Sequence, residues 1–137
     1  MANALFDAGR NAFARGDILW KATGGSTIKV VLIDTGAYTV NLSTHANLSD
    51  VAAGARIVTA TLTLIDPSAG VCDASDVNFG NVSGAQSEAL IIYKDTGVEA
   101  TSTLIAYIDT ATGLPVTPSG GPILITWDSG ANKIFKL

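Results

Sequence analysis

The run Thr27-Ile28-Lys29-Val30-Val31-Leu32-Ile33-Asp34 constrains the fold more than any other part of the chain, because it is nearly continuously apolar and rich in β-branched residues. A strand with one face in water alternates apolar and polar side chains, so an almost unbroken apolar run reads as a strand covered on both faces. Glu88 to Asp95 has the same character. Arg56 to Asp66 instead alternates: Val58, Ala60, Leu62 and Leu64 face one way, Thr59, Thr61 and Thr63 the other, as in a half-buried strand. Tyr38 to Ser43 alternates too, with Tyr38, Val40 and Leu42 opposite Thr39, Asn41 and Ser43.

Further strands are expected at Asp76 to Val82, Thr101 to Asp109, Ile123 to Asp128 and Lys133 to Leu137, which brings the total to about eight at regular spacing. The connectors Asp66-Pro67-Ser68-Ala69-Gly70, Asp95-Thr96-Gly97, Thr112-Gly113-Leu114-Pro115 and Asp128-Ser129-Gly130-Ala131-Asn132 are rich in turn formers. No helix interrupts these strands, which removes the crossovers that a parallel sheet requires. The expectation is an all-β fold, an antiparallel β-sandwich over residues 17–137, jelly-roll-like by strand count.

Residues 1–16 read differently. Leu5, Phe6, Ala12 and Phe13 recur at near-helical spacing, with Asn3 as an N-cap and Gly16 as a stop. Gly9 costs such a helix about 1 kcal/mol relative to Ala, so the segment needs something to pack against. Because the β domain reads as complete without it, residues 2–16 are expected to be an attachment element, with Leu5, Phe6 and Phe13 as the partner-binding side chains. The alternative is a helix lying on the chain's own sheet.

Of the 137 residues, 47% are hydrophobic and only 15% charged, which leaves few charges to cover the surface. Together with strands apolar on both faces, this points to a homo-oligomer, with a trimer expected. A net charge of −4 and a pI near 4.6 argue against a nucleic-acid partner, which calls for a concentrated basic face. The first residues lack the apolar core of a signal peptide, and no apolar stretch approaches the roughly 20 residues that span a bilayer, so a cytoplasmic origin and no membrane partner are expected.

The inventory for catalysis is thin. His45 is the single histidine and lies in the polar stretch Ser43-Thr44-His45-Ala46-Asn47, where a solvated or turn-stabilising role is expected. Cys72 is the single cysteine, so no intrachain disulfide forms; beside Asp73 its thiol is disfavoured as a nucleophile and reads as a small buried hydrophobe. Asp73, Asp76 and Asn78 are spaced like loop ligands, yet the 12-residue calcium-loop pattern is missing, so a solvated turn is expected. Gly24-Gly25, Gly36 and Gly120-Gly121 lack phosphate-binding spacing and read as turns. Trp20, Tyr93, Tyr107, Trp127 and Phe135 fall mostly in strands, as core or inter-subunit contacts in preference to sugar-stacking platforms. The expectation is a non-enzyme without cofactor or metal.

Several stretches carry a resemblance: Met1-Ala2-Asn3-Ala4-Leu5-Phe6-Asp7-Ala8-Gly9-Arg10, Ile28 to Thr35, Gln86-Ser87-Glu88-Ala89-Leu90-Ile91-Ile92-Tyr93-Lys94-Asp95-Thr96-Gly97, Leu104 to Asp109, and Trp127 to Phe135. In these the chain resembles a family of small structural proteins of tailed-phage virions. The resemblance implies a component of the virion, assembled in the host cytoplasm, with the major capsid protein or other virion subunits as partners. Size and β content resemble capsid decoration, or cement, proteins, which are often trimers on the outer shell. A tail, neck or fibre-base subunit, or a carbohydrate-binding module, are the competing expectations.

Overall fold

A computed structural model describes residues 3–137. Among these the chain forms, in order, β1 (Ala4–Leu5), helix α1 (Asp7–Arg15), β2 (Ile28–Ile33), β3 (Arg56–Thr61), β4 (Leu64–Ser68), β5 (Val71–Ala74), β6 (Val77–Ser83), β7 (Ala89–Lys94), β8 (Leu104–Ile108), β9 (Ser119–Ile125) and β10 (Phe135–Lys136). The sandwich-like, all-β antiparallel architecture expected from the sequence is present. Its main layer is a five-stranded sheet in the order β1-β8-β7-β2-β3, and the second layer is divided into a three-stranded sheet, β10-β5-β4, and the pair β6-β9.

β2 lies inside the main sheet, with Val30 opposite Ile92 and Val31 opposite Ile91 on β7, and Val30 opposite Ala60 on β3. Its double-sided apolar character is used in full. Ile28, Val30 and Leu32 point into a core shared with Leu64, Cys72, Val77, Ile123 and Ile125 of the second layer. Val31 and Ile33 point the opposite way, into a core with Phe6, Tyr38, Leu48, Val51 and Ala55. Val30, Val31, Leu32 and Ile33 are all fully buried, each worth about 1.5–3 kcal/mol of apolar transfer. The apolar strands that pointed to a trimer are therefore covered within one chain.

The cover on the second face is not a sheet. It comes from the segment between β2 and β3, which includes two turns of 3₁₀ helix at Leu48–Asp50 and Ala53–Ala55. Tyr38 to Ser43, expected as a strand, is irregular instead. Both edges of β2 are already paired, and the Asn41 side chain turns the backbone by accepting from the Ser43 and Thr44 amides at 3.2 and 3.1 Å. Its alternation survives in function: Tyr38 is buried, and Val40 and Leu42 pack on the same core.

The expected single strand Arg56 to Asp66 divides into β3 and β4, in different sheets. The chain passes between layers at Leu62 and Thr63, where Leu62 N–H donates to Ile28 O and Ser75 N–H to Thr63 O. Leu62 and Leu64 stay buried through the crossing, so the alternation is continuous although the pairing is not. Two strands were not expected, β1 and β5. β5 forms a hairpin with β4 through Ala69 and Gly70, both with positive φ (52° and 78°), as a tight hairpin turn requires.

The division into residues 1–16 and 17–137 needs correction. β1 is a strand of the main sheet, with Ala4 opposite Tyr107 and Leu5 opposite Ala106, and Phe6 N–H donates to Ile105 O at 2.9 Å. The helix N-cap is Phe6. Asn3 instead ties β1 to the end of β8, its Oδ1 accepting from the Asp109 and Thr110 amides. Gly16 closes the helix in the left-handed conformation (φ 80°), as expected. Leu5 and Phe6 are core residues, 7% and 0% exposed, and Phe13 is half-buried with its ring 5.9 Å from that of Phe135. Leu5 and Phe6 are consumed internally and Phe13 is partly covered by Phe135, so Leu5, Phe6 and Phe13 do not form an exposed apolar anchor. Among the described residues no helix is long and apolar enough to cross a membrane.

Gly9 shows why the helix sits where it does. A Cβ at this position would lie 2.7 Å from Ile105 Cα and 2.8 Å from Leu104 O, so the helix is flush against the β8 backbone. Gly9→Ala is expected to destabilise the protein by about 1–3 kcal/mol through overpacking, read as a lower midpoint in urea. An exposed helix would gain about 1 kcal/mol from the same change. Deleting residues 2–16 removes Phe6 from the core and β1 from the sheet; a marked fall in thermal midpoint is expected.

Candidate interaction surface

The groups singled out for chemistry are drawn into the structure, on different sides of it. Cys72 is buried on β5, in the core between the layers, and burial pushes its thiol up to about 11. His45 lies beyond the other face of the main sheet, where Tyr38 Oη and His45 Nδ1 are 2.8 Å apart and their ring centroids 5.4 Å. The two do not meet. Burial, with a smaller contribution from the Asp50 charge, raises the Tyr38 hydroxyl to about 12.

Around His45 the segment is fastened by a capping box at Asn47. Asp50 Oδ2 accepts from the Asn47 amide at 3.0 Å and the Ala46 amide at 2.8 Å. These two bonds, the Asn47 one foremost, hold the Asp50 carboxyl below its ordinary range. Arg56 completes the fastening: its Nε donates to Val51 O, and its guanidinium makes two bonds to Glu99, at 2.8 and 3.2 Å. His45 is thus part of the knot that holds the second cover in place.

Asp73 and Asp76 serve the tryptophans. Trp20 Nε1 donates to Asp73 O at 2.9 Å, Trp127 Nε1 to Ser75 O at 3.0 Å, and the Trp127 amide to Asp76 Oδ1 at 3.0 Å. Among the described residues no group of three or more His, Cys, Asp or Glu is placed to hold a metal ion. Trp20, Tyr93, Tyr107 and Trp127 are buried, and Trp20 meets Phe135 edge to face at 5.2 Å. None offers an open ring face as a platform.

What is left for a partner is the outer surface. Large apolar side chains are exposed singly, at Leu19, Ile65, Val98, Leu124 and Leu137. β4 is the outer strand of its sheet and carries Ile65 and Pro67, while β9 carries Gly120 (φ 88°), Pro122 and Leu124. A proline lacks the N–H that a neighbouring strand needs, so both edges are blunted against open-ended pairing.

Of the eight cations, Arg15, Lys29 and Arg56 are ion-paired with Asp17, Asp95 and Glu99. Among the described residues the other five have no ion-pair partner. Lys94 Nζ donates to Asp17 O, and Lys21 lies elsewhere on the surface. Arg10, Lys133 and Lys136 line a cleft of about 340 Å³ between β1 and β10, where Lys133 Nζ donates to Ser129 O at 3.5 Å. Lys133 also holds a left-handed backbone (φ 47°), which costs a residue with a Cβ roughly 1–2 kcal/mol. Positions 10, 133 and 136 are too far apart in sequence for any spacing to announce them. No protein-family model matches this chain, and no curated protein matches it.

Two outcomes follow from the buried and fastened groups. With its thiol raised to about 11, Cys72 is protonated at neutral pH and is expected not to react with an aromatic disulfide reagent until the protein unfolds. Asp50 and Asp95 are both held below their ordinary value of 3.8 in the folded chain. Their stabilisation is therefore complete above that value and is lost as pH falls through the lower folded values. Urea midpoints between about pH 5 and pH 2 are expected to decline, and Asp50→Asn, already lower at pH 5, is expected to decline less.

Proposed function

We propose that this chain is a structural protein of a tailed-phage virion, a capsid decoration (cement) protein that sits on the outer shell against the major capsid protein and stabilises it. The observation that carries this reading is the self-contained fold: both faces of the central strands are closed by the same chain. A subunit of this kind folds first and attaches afterwards, as an addition to an assembled lattice requires. Its charge-poor exterior, with Thr59, Thr61 and Thr63 outward and single apolar side chains such as Leu124 and Val98 exposed, suits many modest contacts. On a symmetric shell such contacts combine through effective concentration. The stretches that resemble tailed-phage structural proteins support the same reading.

Copy number tests it directly. Quantitative mass spectrometry of purified particles is expected to find this chain in a number comparable to the major capsid protein, and a reconstruction to find it on the outer shell. A few copies per particle, or density confined to the tail or neck, would overturn the decoration role. Binding to glycans by the isolated protein, with none to the shell, would favour a carbohydrate-binding module.

A further inference from the structure

The cleft between β1 and β10 gathers three cations that form no ion pair among the described residues. It is bounded by two strands that each end a sheet: β1 ends the main sheet and β10 the three-stranded one. Leu5 and Ile134 lie buried at its base, and Asn3 and Asn132 add polar groups to its lining. Its rim carries Arg10, Lys133 and Lys136, three of the chain's eight cations, in a molecule of net charge −4. Asp128 also lines it, but one of its carboxylate oxygens already accepts from the Gly130 amide at 3.1 Å. Lys133 is presented there from a backbone conformation that lysine disfavours, which the turn from Asp128 to Lys133 must sustain.

We propose that this cleft is a docking groove for an extended, carboxylate-rich segment of a partner protein. The strand edges favour an extended backbone, which can add beside β1 or β10 while its carboxylates meet the cationic rim. The three unpaired cations set the sign of the partner's charge. A nucleic acid is disfavoured, because the overall negative charge of the chain repels a long polyanion. A short acidic segment feels mainly the charges within a Debye length, about 8 Å at physiological salt.

The test uses the full chain and a fluorescent peptide of about ten residues alternating Glu and Val, long enough to lie along a strand edge. A matched Lys and Val peptide and a single-stranded oligonucleotide serve as competitors. The Glu peptide is expected to bind, to shift the backbone amide resonances of residues 4–5, 10 and 133–136, and to bind more weakly as salt is raised. Combining Arg10→Glu, Lys133→Glu and Lys136→Glu is expected to weaken binding by at least about tenfold. The three Gln substitutions, which remove charge without adding repulsion, are expected to weaken it in the same direction and decide the matter should the reversed variant not fold. No binding to the natural chain, equal binding to the folded variants, or resonance shifts away from the cleft would overturn the proposal. So would displacement by the Lys peptide or by the oligonucleotide.

Discussion

The double-sided burial of β2 and β7 is the constraint on which the rest of the structure depends. A strand that is apolar on both faces cannot sit at a water boundary, so the chain has to supply two covers. One is the second layer of strands, and the other is the irregular segment between β2 and β3, assisted by Phe6. The second cover has few ladder bonds of its own. It relies on side chains that grip the backbone, chiefly Asn41, Asp50 and Arg56. This is also why the N-terminal residues are inside: the edge of β8 and the core beside Tyr107 need β1 and Phe6 to finish them.

The same constraint accounts for the location of the polar chemistry. Cys72 and Tyr38 are spent on packing and both tryptophans on packing and on satisfying backbone carbonyls, and the raised protonation of Cys72 and Tyr38 follows from burial. Among the described residues no buried side-chain polar atom lacks a hydrogen-bond partner. The charges stay outside, and Arg10, Lys133 and Lys136, three of the cations without an ion pair among the described residues, lie around the cleft between β1 and β10. The interior explains folding and the exterior is where recognition is to be sought.

How much of this was legible in the sequence depended on whether the signal was local. β2, β7 and the alternation from Val58 to Leu64 are properties of consecutive residues, and they read correctly. The passage of Leu62 and Thr63 from one sheet to another was not legible, because side-chain alternation is the same whichever strand the backbone pairs with. Tyr38 to Ser43 alternates like a strand, but both edges of the preceding β2 are already paired, and which edges are taken is a property of the whole sheet. The helix was legible, and its place on the chain's own sheet was the alternative to the attachment element that was expected. Gly9, which looked like a weakness in an isolated helix, is the residue that lets the helix touch β8. The cleft cations were illegible because the fold alone brings the two ends of the chain together.

The central claim is that one chain closes both faces of its own central strands. The dependence of the unfolding midpoint on protein concentration tests it most directly, since burial completed by a second chain makes stability rise with concentration by mass action. Between about 1 and about 100 μM the account predicts a midpoint that does not move. A midpoint that climbs steadily across that range would show that a neighbouring chain is needed to cover these strands, and would contradict it.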